Sequence, residues 1–105
     1  MRPIINETEA MAFDYFKAFG FDEEQIKMLI IQGRKDLEIN LDKLELLIQE
    51  DPISIEDVSN VLHALKGLIF QLGNHKVAEK LNESRSHLEN KETIEEIKEL
   101  LFSEE

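Results

Sequence analysis

The sequence predicts an all-α protein: an antiparallel, up-down four-helix bundle with an additional short N-terminal helix. Three observations predict it. Apolar residues recur at three- and four-residue spacing, and nowhere alternate over a useful strand length. The chain has only four glycines and two prolines in 105 residues, and most stand where helices would end. The connections between the helical segments are short, which makes successive helices antiparallel neighbours. A chain of this length fits a single domain with one core.

The first helix is expected over about residues 7–18. Asn6 and Glu9 have capping-box spacing. Met11, Ala12, Tyr15, Phe16 and Phe19 form an apolar stripe, and Gly20 supplies a stop. This helix is expected to lie across one end of the bundle. The second helix spans about residues 22–49. It opens with a box from Asp22 to Gln25 and a hydrophobic staple from Phe21 to Ile26. Ile26, Ile30, Leu37, Leu44 and Leu47 give it a long stripe. Gly33 interrupts that stripe and marks close packing or a local bend. Asp51-Pro52 closes the segment, because a residue before proline avoids helical geometry.

The third helix is expected over about residues 54–72, with Ser54 as its cap and Gly73 as its stop. Ile55, Val58, Leu62, Leu65, Ile69 and Leu72 define its core stripe. The fourth, about 74–89, carries Val77, Ala78, Leu81 and Leu88. The fifth, about 93–102, starts with Thr93 and Glu96 at box spacing and buries Ile94, Ile97, Leu100 and Leu101. Residues 1–5 and 103–105 are expected to fray.

Composition narrows the function classes. The net charge of −11 repels nucleic acid and anionic membranes. There is no cysteine, hence no disulfide and no thiolate metal site. The longest apolar runs, such as Met28 to Ile31, are four residues, far short of a membrane span. A cytoplasmic location is expected. The charge is uneven: from His63 to His87 four basic side chains face two acidic ones, so this segment is +2 and the remainder −13.

That segment holds the chemistry. His63, Lys66 and Gly67 stack on one helix face. His63 falls roughly 140° from the centre of the core stripe, with Ser59, Lys66, Gly67 and Phe70 on its side. A solvent-facing histidine is expected, where a lone histidine on an apolar face would be structural. A neutral imidazole carries one nucleophilic ring nitrogen. Attack on a phosphoryl group gives a densely anionic phosphoramidate, which Lys66 can screen one turn away. Glycine inside a helix costs about 1 kcal/mol relative to alanine, so Gly67 calls for a reason. A bare backbone beside the nucleophile supplies one. Phe70 is a docking contact in this reading, or packs under the first helix or a loop. No carboxylate is spaced to orient His63 as a hydrolase base, since Glu56 lies two turns away. His75 and His87 do not share metal-ligand spacing and are read as surface or cap residues. No metal site, glycine-rich phosphate loop or cofactor motif is present in the sequence.

The run His63-Ala64-Leu65-Lys66-Gly67, followed by Leu72-Gly73, resembles the histidine phosphotransfer (HPt) domain of multistep phosphorelays. The likeness covers about residues 22–105, because a long helix ending in an acidic-Pro turn precedes the motif and an amphipathic helix follows it. The resemblance implies that His63 is the phosphorylated residue, taking phosphate from an aspartyl-phosphate on a receiver domain and passing it to another. Lys66 would support the phosphoryl group and Gly67 would leave room for it. Ser59, Phe70 and Arg85 would face the partner. Arg85 stands where the family often has glutamine. Leu68, Ile69 and Phe70 are larger than is usual after the glycine, and Phe70 is read as setting partner choice. The implied partners are receiver domains and a hybrid sensor kinase. The protein would be a monomeric carrier without autokinase activity or cofactor. The rival reading is a helical docking module that binds receivers or kinases without carrying phosphate.

Overall fold

The computed structural model describes residues 2–103. Among these there are five helices and no strand: α1 (Pro3–Ala18), α2 (Glu23–Leu47), α3 (Ile55–Gln71), α4 (His75–Arg85) and α5 (Lys91–Phe102). The all-helical expectation therefore stands. Residues 1, 104 and 105, part of the expected frayed ends, lie outside the described residues.

Local signals set several boundaries as expected. Asp22 accepts from the Gln25 backbone N–H at 2.8 Å, and the Asp22 N–H donates to Gln25 Oε1 at 3.0 Å. This capping box satisfies two backbone donors at the start of α2. Ser54 Oγ accepts from the Asp57 N–H at 3.4 Å to open α3. Helices α1 and α3 end alike. Gly20 and Gly73 adopt φ of +89° and +92°. Around them the Phe21 N–H donates to the Phe16 carbonyl and the Asn74 N–H to the Ile69 carbonyl. These are Schellman closures, and the left-handed residue in each is glycine because a Cβ disfavours that backbone. Phe21 then stacks edge-on against Phe16, with centroids 5.8 Å apart, as such closures favour.

Other expectations are corrected. α1 begins at Pro3, not near residue 7, and its N-cap is Arg2 without a side-chain cap bond; Asn6 and Glu9 lie inside it. Proline is well placed at a first helical position, where its missing N–H has no intrahelical role. Far from fraying, Ile4 and Ile5 are buried in the core. Nor does α1 lie across an end. Arg2 pairs with Asp42 at 2.7 Å, Glu9 with Arg34 at 3.4 Å, and Phe16 meets Phe21, so α1 runs along the length of α2. It also packs on α5, with the Arg2 guanidinium 5.6 Å from the Phe102 ring centre. α4 stops at Arg85, four residues short of expectation, and α5 starts at Lys91 under Asn90 rather than at Thr93.

The core gathers Ile4, Ile5, Ala12 and Phe16 of α1 with Ile26, Leu37, Leu41 and Leu44 of α2. From the other side come Val58, Leu62, Leu65 and Ile69 of α3, Ala78 and Leu81 of α4, and Ile97 and Leu101 of α5. α3 packs chiefly on α4 and α2, and α4 also touches α5. Ile55, the first residue of α3, departs from the expected stripe and is exposed, whereas Val58 three positions on is buried. Gly33 is a close-packing residue. A Cβ there would stand 2.9 Å from Leu72 Cδ2.

Candidate functional site

The surface where α3 meets α4 collects the singled-out residues. The α3 face opposite Val58, Leu62, Leu65 and Ile69 carries His63 and Phe70 exposed, with Ser59, Lys66 and Gly67 half-buried beside them. The helical period thus turns His63 to solvent, as the wheel requires.

Arg85, the last residue of α4, reaches back to this face. Its Nη1 lies 3.1 Å from His63 Nδ1, and its Nε donates to Ser59 Oγ at 3.3 Å. The guanidinium therefore spans two successive turns of α3. Among the described residues, His63 Nε2 has no hydrogen-bond partner, and neither Lys66 nor Arg85 is ion-paired to a carboxylate. Two cations without counter-ions thus flank an exposed imidazole.

Gly67 is the one glycine that the fold itself does not require. Gly20 and Gly73 need positive φ, and Gly33 receives Leu72. A Cβ built on Gly67 would meet nothing within 4 Å. The bare backbone opens onto a groove of about 530 Å³ between α3 and α4. Lys66, Gly67, Phe70 and Gln71 line one wall, and Ala78, Glu79, Asn82 and Glu83 the other.

Phe70 neither stands free nor packs under α1. It is 51% exposed and lies on His75, with ring centroids 4.3 Å apart and planes tilted by 32°. His75 in turn meets the Tyr15 ring edge-on at 5.4 Å. His75 is therefore half-buried rather than a surface residue, and its Nε2 is buried without a partner. Next to it Asn74, 1% exposed, donates from Nδ2 to Glu7 Oε2 at 3.0 Å and to Thr8 Oγ1 at 3.1 Å. These bonds anchor the α3–α4 turn to α1. Sequence reasoning missed both residues. Nothing local marks their contacts with α1, since Tyr15, Glu7 and Thr8 are far away in the chain. His87 is exposed beyond the end of α4.

No group of three or more His, Cys, Asp or Glu side chains among the described residues is placed to hold a metal ion. None of their helices is long and apolar enough to cross a membrane. No family model, curated protein or solved structure matches the chain.

Proposed function

We propose that the protein is a phosphorelay carrier of the histidine phosphotransfer type, in which His63 takes a phosphoryl group from a receiver aspartyl-phosphate and passes it on. The observation that carries this reading is the pairing of an outward His63 with Gly67, a helical glycine required by neither backbone geometry nor packing. A glycine that weakens α3 without a packing return is accounted for by an incoming group that needs the space. Lys66, one turn along α3 from His63 and not ion-paired among the described residues, adds positive charge on the face where a phosphoryl dianion would sit.

Phosphoryl transfer depends on positioning and charge stabilisation more than on covalent machinery from the carrier. The acidic pocket and its magnesium ion would belong to the receiver. The protein in this reading is a cytoplasmic monomer without autokinase activity. On this reading α2, α3, α4 and α5 would be the antiparallel four-helix unit on which receivers dock, with α1 packed on α2 and α5.

Incubation with phosphorylated receiver domains from the same genome tests the reading. The expected result is acid-labile, alkali-stable label on the wild type and none on His63→Gln. Label that survives His63→Gln refutes the site. One observation favours the rival docking module: Arg85 already occupies Nδ1 of the imidazole. Tight receiver binding without any label would establish that alternative.

A further inference from the structure

We propose that Arg85 is a positioning residue that holds His63 in its Nε2-protonated tautomer and must release Nδ1 before His63 can accept a phosphoryl group through Nε2. The proposal rests on the carrier reading above.

The contact between Arg85 Nη1 and His63 Nδ1, at 3.1 Å, has only one sense. A guanidinium has five N–H donors, no acceptor, and does not lose its proton in proteins. Arg85 therefore donates and Nδ1 accepts. In a neutral imidazole one nitrogen carries the proton and the other the in-plane lone pair. With the Nδ1 lone pair engaged, the proton resides on Nε2. The arrangement is fixed rather than incidental, because Arg85 Nε donates to Ser59 Oγ one turn earlier on α3.

This tautomer is the wrong one for reaction at the outward nitrogen. Protonated Nε2 has no in-plane lone pair to offer. The only such pair is on Nδ1, where Arg85 covers it. Reaction through Nε2 needs the proton moved to Nδ1, and Arg85 cannot accept it. Once Arg85 has withdrawn, the Nε2 lone pair forms the N–P bond. The bond from phosphorus to the donor carboxylate oxygen breaks, its electron pair leaves with the carboxylate, and the Nδ1 proton passes to water. The phosphorylated ring then presents an Nδ1 lone pair again, and Arg85 can return to it. An unprotonated ring is a poorer leaving group than a protonated one. Arg85 thus slows loss of the phosphoryl group as well as its arrival.

Long-range proton–nitrogen correlation spectra of the full chain, taken with the imidazole neutral, read the tautomer directly. The His63 signals are identified by their absence in His63→Gln. Wild type should show a pyridine-type Nδ1 and a pyrrole-type Nε2. Arg85→Gln, whose carboxamide oxygen can accept from Nδ1–H, should shift the balance towards Nδ1–H. Arg85→Lys keeps a donor and should retain the wild-type tautomer, which separates hydrogen-bond polarity from general disruption. With phosphoramidate as donor the P–N bond breaks and ammonia leaves. Arg85→Gln should then be labelled, and should lose its label, about 5-fold faster than wild type, the scale of one exposed hydrogen bond. Arg85→Lys should stay near wild type. A protonated Nδ1 in wild type overturns the proposal, as does a tautomer unmoved by Arg85→Gln. A shifted tautomer with equal labelling rates, including no labelling of either protein, overturns the gating role. The spectra need no phosphodonor, so failure of the Arg85 contact is distinguishable from failure of the carrier reading, which shows as no label on wild type from any donor.

Discussion

Gly67 and Gly73 stand six positions apart in the chain and answer to different physics. Gly67 has helical geometry and open space around its missing Cβ. Gly67→Ala should therefore stabilise the protein by up to about 1 kcal/mol in urea unfolding, since alanine restricts the unfolded chain and favours helix. On the carrier reading the added methyl group also takes up space on the face that bears His63, so labelling of His63 should slow. Gain in stability with loss of transfer is the signature expected of a glycine kept for function. Gly73 has φ of +92°, and a Cβ there would stand 2.7 Å from Tyr15 Cβ. Gly73→Ala should destabilise by about 1–3 kcal/mol through strain and collision. Asn74→Ala removes one buried hydrogen bond, to Thr8, and one part-buried, to Glu7, both on α1. A loss of about 1–3 kcal/mol is expected by chemical denaturation, because Thr8 is left buried without that donor.

At the scale of the element, α3 does two things with two faces. Leu62, Leu65 and Ile69 are fully buried, while His63 and Phe70 on the other side are exposed. Leu65→Ala should cost about 2–5 kcal/mol, the range for truncating a buried leucine. This period was legible in the sequence, since a rotation of 100° per residue separates position 63 from 62 and 65 regardless of neighbours. The fate of the ends was less legible. Ile55 fits the same stripe, yet is exposed, because only the reach of the packed partners decides where a stripe stops being covered. α1 shows the converse. Ile4 and Ile5 precede the cap signal at Asn6, a pattern that predicts a frayed end, but they insert against the core and the helix extends back to Pro3. Ile5→Ala should accordingly lower stability by about 2–4 kcal/mol, readable as a fall in urea midpoint at unchanged slope.

For the whole molecule the dominant quantity is charge. A chain of 105 residues with net charge −11 repels itself in the compact state. Raising ionic strength from about 10 mM to about 150 mM shortens the screening length to about 8 Å and should raise the melting temperature. A fall would show that the surface pairs of Arg2 and Arg34, which salt weakens, outweigh this repulsion. The basic stretch from His63 to His87 gains from the same imbalance. An acidic partner meets there the least repulsive part of an otherwise acidic surface.

Periodicity and stop signals in the sequence were sufficient for five helices, for the turns at Gly20 and Gly73, and for the side of α3 on which His63 stands. Each depends on residues within a few positions of one another, where backbone geometry alone relates sequence to space. The tertiary structure decided what depends on distant partners. It drew α1 along α2, buried Asn74 against Thr8, and seated His75 between Tyr15 and Phe70. It also closed the 22-residue interval between His63 and Arg85 to a 3.1 Å contact. Sequence spacing can place an arginine on the next helix, but only the packing of α4 on α3 determines which ring nitrogen it meets, and hence which tautomer the histidine keeps.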